Sequence, residues 1–458
     1  MLATALLSGC VGKIGGTGEA SLDTANPSAE DGDGGPSAVD GHDRPDGAGN
    51  LPDAENLPDP DAATNLPDAA GSPPNDPDPD AGNTASCPAG DLANRIGVEH
   101  LLVGGSIDDA EFAEAPFDLR YHYLASDAPT GGPCESCASG CSTDDWWGCW
   151  QSDRDPPGQY VLSRIAAAEA AGALPMITYY TWSTVAGNVE DAAEIAALAD
   201  GPRVARYLAD WRFACQKTAE ASSGPVFLHV EPDLWGFGHR VNSDPEAIVA
   251  AVSAAESVEC ADLPDSMAGL ARCMLAIARA EAPAALVGFH ASGWGAGHDA
   301  LHEDDPDFDV LGHAAETASF MTALGATQAD LVVVEMSDRD AGMDGRWWDP
   351  SNAELPHFDR AMRWASRVAN NMGLPFLWWQ VPLGNMELPD GCQTYRDNRV
   401  DYIFDHAHDF AADGALGIAF GAGSSSCGTT AATDGGHFLA RANAHFEGDR
   451  PCVCGACP

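Results

Sequence analysis

A (β/α)8 barrel with long insertions in its βα loops is the architecture expected of residues 87–458. Eight short apolar runs occur there, Ala-rich helical patterns separate most of them, and six of the runs pass from apolar to polar and aromatic in the same direction. The runs lie at Ile96–Gly104, Leu119–Leu124, Leu174–Tyr180, Val226–Glu231, Ala285–His290, Leu331–Glu335, Phe376–Val381 and Ala415–Phe420. Helical periodicity covers Tyr160–Gly172, Gly201–Ser222, Met267–Glu281, Gly312–Leu324, Phe358–Met372 and Val400–Ala412. An open doubly wound sheet is the alternative. It is disfavoured because Val103-Gly104-Gly105-Ser106, after the first run, lacks the GxGxxG spacing of a phosphate-binding turn.

The flanking regions read differently. Met1 to Cys10 ends in Leu7-Ser8-Gly9-Cys10, which is similar to a bacterial lipoprotein cleavage box and marks Cys10 for lipidation, although no basic residue precedes the apolar stretch. Residues 11–86 hold 16 acidic and 2 basic residues, no aromatic ring, and a recurring Asn-Leu-Pro-Asp at Asn50, Asn56 and Asn65. Such a segment buries too little apolar area to offset its ordering entropy, so it is expected to be a disordered, extended spacer. No stretch approaches the ~20 apolar residues of a membrane span. Any membrane association is expected through the lipid alone, placing the chain in the bacterial envelope.

The chain of 458 residues carries 70 Asp+Glu against 22 Lys+Arg, a formal net charge of −48. That balance excludes a phosphate-rich nucleic-acid partner and disfavours anionic polysaccharides. Lysine occurs only at Lys13 and Lys217, and Lys217 sits in a helical pattern, which argues against Schiff-base chemistry. Fourteen cysteines suit an oxidising compartment; without Cys10 the count is odd, so one thiol is left over. Cys134, Cys137, Cys141 and Cys149, in a loop at 126–158, and Cys452, Cys454 and Cys457 in the tail have spacings that zinc also uses. Disulfides are the stronger expectation outside the cell.

Barrel chemistry sits at the strand C-termini, and the strand ends here carry titratable and aromatic groups. They are Tyr121-His122-Tyr123, Tyr179-Tyr180-Thr181-Trp182, His229-Val230-Glu231-Pro232-Asp233-Leu234-Trp235, His290-Ala291-Ser292-Gly293-Trp294, Glu335-Met336-Ser337-Asp338-Arg339 and Trp378-Trp379-Gln380. Alternation along the fourth strand puts His229 and Glu231 on the inward face. Glu231 is then either a catalytic carboxylate or a cap paired with an arginine. The same parity aligns Glu335 with Leu331 and Val333, and Asp338 follows beside Arg339. Two carboxylates at one barrel mouth form an acid/base or acid/nucleophile pair when one is kept protonated and the other ionised. The rings, Trp146, Trp147 and Trp150 of the cysteine-rich loop included, suit the flat faces of sugars; that loop is either a cleft wall or a separate mini-core. Trp378 and Trp379 face opposite ways, so one packs under helices. A metal-hydrolase reading would need His122, His229, Glu231 and His290 to converge, and there is no GxSxG elbow for serine chemistry.

These residues resemble barrel-type glycoside hydrolases, many of which place an acid/base Glu at the end of strand four, where Glu231 stands. Strand seven departs from the large group that ends it in a nucleophilic Glu. Shorter fragments are similar to the family-6 cellulases: Val230-Glu231-Pro232-Asp233, His290-Ala291-Ser292-Gly293-Trp294, Ser337-Asp338-Arg339 and Trp379-Gln380-Val381-Pro382-Leu383-Gly384. The resemblance implies a monomeric, cofactor-free enzyme that cleaves a poly- or oligosaccharide. Glu231 is the expected general acid and Glu335 the base or nucleophile, with Asp338 in reserve. The expected sugar-binding set is Tyr121, Tyr123, Tyr180, Trp182, His229, Asp233, Trp235, His290, Trp294, Trp378 and Gln380. A non-catalytic carbohydrate-binding protein on the same scaffold is the competing expectation.

Overall fold

Runs such as Leu331-Val332-Val333-Val334, apolar at every position and β-branched at the three valines, suit strands buried on both faces. In the computed structural model eight such strands run parallel and close in chain order: β1 Leu102–Ser106, β2 Leu119–Leu124, β3 Leu174–Tyr179, β4 Phe227–Val230, β5 Leu286–Ala291, β6 Leu331–Val334, β7 Phe376–Val381 and β8 Ala415–Gly421, with β8 pairing β1. The (β/α)8 expectation holds. The structure describes residues 87–458 except 126–149, 152–156, 337–338, 423–426, 455–456 and 458, all within the compact unit Asp80–Pro458. Cys10, the spacer 11–86, Cys134, Cys137, Cys141, Cys149, Trp146, Trp147 and Asp338 lie outside the described residues.

Strand alternation divides the apolar side chains into two layers. Leu119, Met176, Phe227, Leu286, Leu331, Val333, Leu377 and Leu416 pack together inside the barrel. Ile177, Leu228, Val230, Phe289, Val332, Val334 and Trp378 face outward into a larger cluster with helix residues such as Trp211, Leu270, Phe358 and Val368. The helices Gln159–Ala170, Gly201–Ala221, Met267–Glu281, Val310–Leu324 and Phe358–Met372 match expectation within two residues. Side chains of Asp200, Ser266, Asp309 and His357 accept N–H groups at the last four N-termini. The expected helix Val400–Ala412 breaks at His406 into Arg399–Asp405 and Ala407–Ala412.

The first strand is displaced from the expected Ile96–Gly104. Pro88 at the first turn, the cap from Cys87 and left-handed Gly97 (φ 76°) make Pro88–Ile96 a helix instead. Its Ala89, Leu92 and Ala93 join the barrel-interior cluster together with Val453 of the C-terminal tail. A disulfide between Cys87 and Cys454 ties these two segments. The Gly104-Gly105 pair of β1 serves packing: a Cβ on Gly104 would lie 1.7 Å from the Leu119 carbonyl oxygen, and one on Gly105 2.0 Å from that of Phe420.

Further disulfides join Cys260 to Cys273, Cys392 to Cys427 and Cys452 to Cys457, and Cys215 is a buried free thiol. His100, Cys452 and Cys457 lie close enough together to hold a metal, but both cysteines are oxidised to the disulfide and offer no thiolate. No described helix is long and apolar enough to cross a membrane.

Candidate active site

The C-terminal ends of the strands open into a cleft of about 1150 Å³. Six of the expected residues line it: Tyr123 from β2, Tyr180 after β3, Asp233 after β4, Trp294 after β5, Glu335 after β6 and Gln380 from β7. Glu335 follows the strand parity with Leu331 and Val333, and its side chain keeps 15% exposure. The Tyr180 hydroxyl donates to Asp233 Oδ2 at 2.5 Å, and the Tyr123 hydroxyl donates to Gln380 Oε1 at 2.6 Å. Burial, with the nearby charges of Glu335 and Asp233, raises the Tyr123 phenol well above its ordinary range, so it remains a neutral donor to Gln380.

Glu231 is not in the cleft. Its N–H extends the sheet ladder to the Tyr179 carbonyl at 2.8 Å, but its φ of 51° then turns the side chain to the outer face. There Oε1 accepts from the Thr181 N–H (3.1 Å), the Trp182 N–H (3.0 Å) and the Tyr207 hydroxyl (2.9 Å). The parity expectation therefore fails at this residue, and the donors it meets include no guanidinium. Complete burial pushes its carboxyl up to about 8, despite those three hydrogen bonds. Glu194, on the helix Asp191–Ala196, is pushed up to about 9 by burial and by the charge of Glu231. Glu194 was not foreseen: it carries no motif and lies inside an ordinary Ala-rich helix.

Other expected ligands also stay behind the wall. Trp182 stacks edge-on against Tyr207 and donates to the Glu194 carbonyl. Trp235 packs on Phe289 and donates to the Val230 carbonyl, and Trp378 lies between Phe376 and Phe410. All three fill the layer between barrel and helices. Tyr121 is fully buried in the barrel against Trp379. His229 and His290 are buried beneath the cleft floor, edge-on to Trp379 at 4.7 and 5.7 Å. His122 points the other way, toward Tyr160 of the outer layer, and burial pushes it down to about 3. The four groups of the metal-hydrolase reading thus do not converge.

The cleft also holds residues outside the expected set. Trp379 forms the floor, and the long loop after β5 supplies Asp299, His302, Glu303 and Asp304. Arg240 lies over the Trp294 ring at 5.6 Å, and Arg346 donates to the His302 carbonyl at 3.0 Å. The polar run His298–Asp305 after the fifth strand was the available signal for this rim.

No protein-family model and no curated protein sequence matches the chain. Among solved structures it is similar to a modular endo-β-1,4-mannanase from Cellulomonas fimi, with 10% identity over 82% of this chain and 77% of that one, at a TM-score of 0.47. A double mutant of the Cellulomonas fimi mannanase shares 10% identity over 79% and 74%, at 0.45. An endoglucanase from Humicola insolens shares 15% over 52% and 64%, at 0.31.

Proposed function

We propose that this chain is a glycoside hydrolase acting on a neutral poly- or oligosaccharide, with Asp233 and Glu335 as its carboxylate pair. The observation that carries the reading is that these two groups, from the ends of β4 and β6, share one cleft floored by Trp379, with the Tyr123 phenol near both. Asp233 replaces Glu231 as the acid because a group sealed in the outer layer cannot touch substrate. In this scheme the protonated Asp233 carboxyl gives its proton to the glycosidic oxygen as the C–O bond breaks. Tyr180 holds the Oδ2 oxygen of that carboxyl. Glu335 stays ionised; it either takes a proton from the attacking water or attacks the anomeric carbon itself, according to the carboxyl separation. Asp338 remains a reserve candidate.

Trp379 and Trp294 offer faces for sugar rings, and Tyr123, Gln380 and Arg240 offer hydroxyl partners. The cleft is lined by six carboxylates (Glu190, Asp233, Asp299, Glu303, Asp304, Glu335) against three guanidiniums (Arg240, Arg339, Arg346), a balance that favours an uncharged glycan. The Leu7-Ser8-Gly9-Cys10 box supports a lipid-anchored envelope location.

Assaying the full chain against mannans, β-glucans and xylans for released reducing ends tests the reading. Turnover of one neutral glycan that is lost in Asp233→Asn and in Glu335→Gln is the expected result. Glycan binding without turnover by the parent chain would overturn it in favour of a carbohydrate-binding protein.

A further inference from the structure

A row of polar side chains crosses the barrel interior directly beneath Glu335. Thr178 of β3, His229 of β4 and His290 of β5 come from three neighbouring strands. Thr178 Oγ1 lies 3.2 Å from His229 Nδ1, and His229 Nε2 lies 3.1 Å from His290 Nδ1. His290 Nε2 is buried, has no hydrogen-bond partner, and stands 3.8 Å from Glu335 Oε1. All three residues are essentially inaccessible to water, and Trp379 closes the row edge-on. An apolar barrel interior makes three adjacent polar residues costly unless each is satisfied.

We propose that Thr178, His229 and His290 are positioning residues for Glu335, forming a hydrogen-bonded chain whose direction is set by the charge on that carboxylate. This rests on the proposed role of Glu335. Two ring nitrogens 3.1 Å apart share a single hydrogen. When Glu335 is ionised, His290 turns an Nε2–H toward it and keeps a lone pair on Nδ1. That lone pair accepts from the Nε2–H of His229, whose own Nδ1 accepts from the Thr178 hydroxyl. The row is then satisfied from Thr178 to His290 Nδ1, both rings carry hydrogen on Nε2, and the His290 Nε2–H faces Glu335 across a 3.8 Å gap. Burial also holds His229 neutral. When Glu335 takes up one proton, its O–H meets a lone pair on His290 Nε2. Each bond then reverses, His290 Nδ1–H donating to His229 and His229 Nδ1–H to Thr178. The 3.8 Å gap to Glu335 is longer than a hydrogen bond, and substrate binding can shorten it to one.

Other titratable or charged groups share the cleft with Glu335: Tyr123 from β2, Tyr180 and Glu190 after β3, Asp233 and Arg240 after β4, Asp299, His302, Glu303 and Asp304 after β5, and Arg339 and Arg346 after β6. From β7 only Trp379 and Gln380, both uncharged, reach it among the described residues. The chain of three offers Glu335 a donor from below when it is ionised, the form the scheme above gives it.

Long-range proton–nitrogen spectra of the full chain labelled with 15N-histidine decide the matter without substrate. His229→Asn and His290→Asn variants assign the two rings. Hydrogen on Nε2 of both rings near neutral pH is expected. In Thr178→Val the His229 Nδ1 lone pair loses its donor, so its 15N shift should move while both rings keep hydrogen on Nε2, and Thr178→Ser restores the parent spectrum. If the reaction is as proposed, kcat in Thr178→Val falls several-fold with KM unchanged. Hydrogen on Nδ1 of His290 in the parent chain, or identical spectra in parent and Thr178→Val, would overturn the proposal. A chain with the expected tautomers and no glycosidase activity would sink the functional reading and leave this one standing.

Discussion

The ends of β4 and β7 make the same unusual backbone move with opposite results. Glu231 (φ 51°) and Gln380 (φ 53°) both adopt the left-handed region, costly for any residue with a Cβ. After β4, alternation would have placed Glu231 in the cleft, and the turn sends it out to Thr181, Trp182 and Tyr207. In β7, alternation would have sent Gln380 outward behind Trp379. An irregularity in the pairing with β8 between Trp378 and Val381 instead brings both Trp379 and Gln380 to the cleft. Each side chain ends where hydrogen-bond partners match it. A carboxylate at the outer site meets two backbone N–H groups and a phenol, whereas the amide of Gln380 can both accept from Tyr123 and donate to a ligand.

The largest effect expected of this comparison concerns activity. Asp233→Asn and Glu335→Gln should each lower kcat by about 10³-fold, the scale of lost acid or base catalysis, while Glu231→Gln loses less than about tenfold because an amide oxygen still accepts all three hydrogen bonds. Steady-state kinetics on the glycan identified above measures both; a Glu231→Gln variant as dead as Asp233→Asn would return Glu231 to the mechanism. Next in size is stability. Glu231→Leu strands the Thr181 and Trp182 N–H groups and the Tyr207 hydroxyl, at about 1–3 kcal/mol for each unpaired group, which urea denaturation should register as a lower midpoint.

The third effect is a pH dependence. Glu231 titrates near 8 and Glu194 near 9 in the folded chain, against about 4.5 unfolded. The folded state therefore holds these protons more tightly, and the stability they contribute is full below 4.5 and is lost as pH rises through 8 to 9. Buried histidines such as His122, His239 and His445, pushed down to about 3, 4 and 4, act oppositely, but only below about 6.5. Melting temperature should thus fall between pH 6.5 and 9, and Glu231→Gln should flatten that fall; an unchanged slope would contradict the burial argument. The smallest expected effect separates backbone from side chain at the other site. Gln380→Gly and Gln380→Ala both lose the Tyr123 contact, but glycine relieves the positive φ and should leave the protein about 1 kcal/mol more stable than alanine.

Much of this was legible in the chain itself. Runs such as Leu331-Val332-Val333-Val334 and the helical patterns Gly201–Ser222 and Met267–Glu281 are local signals, and they placed seven strands and the long helices closely. The helix Pro88–Ile96, marked locally by Pro88 and Gly97, lies outside the expected elements, and the expected first strand begins at Ile96 instead of Leu102. Glu335, Tyr180 and Trp294 could be assigned to the cleft because their parity or loop position is undisturbed.

The residues themselves determined an eight-stranded parallel barrel whose strand ends are rich in rings and acids, since period-2 and period-3.6 patterns are read over a few neighbouring positions. Only the tertiary structure decided which acids meet. The left-handed turns at Glu231 and Gln380 are sustained by partners 24 to 257 positions away, and so is the alignment of Thr178, His229 and His290, spaced by 51 and 61. A single positive φ reverses the face of a side chain, and nothing within reach along the chain announces it.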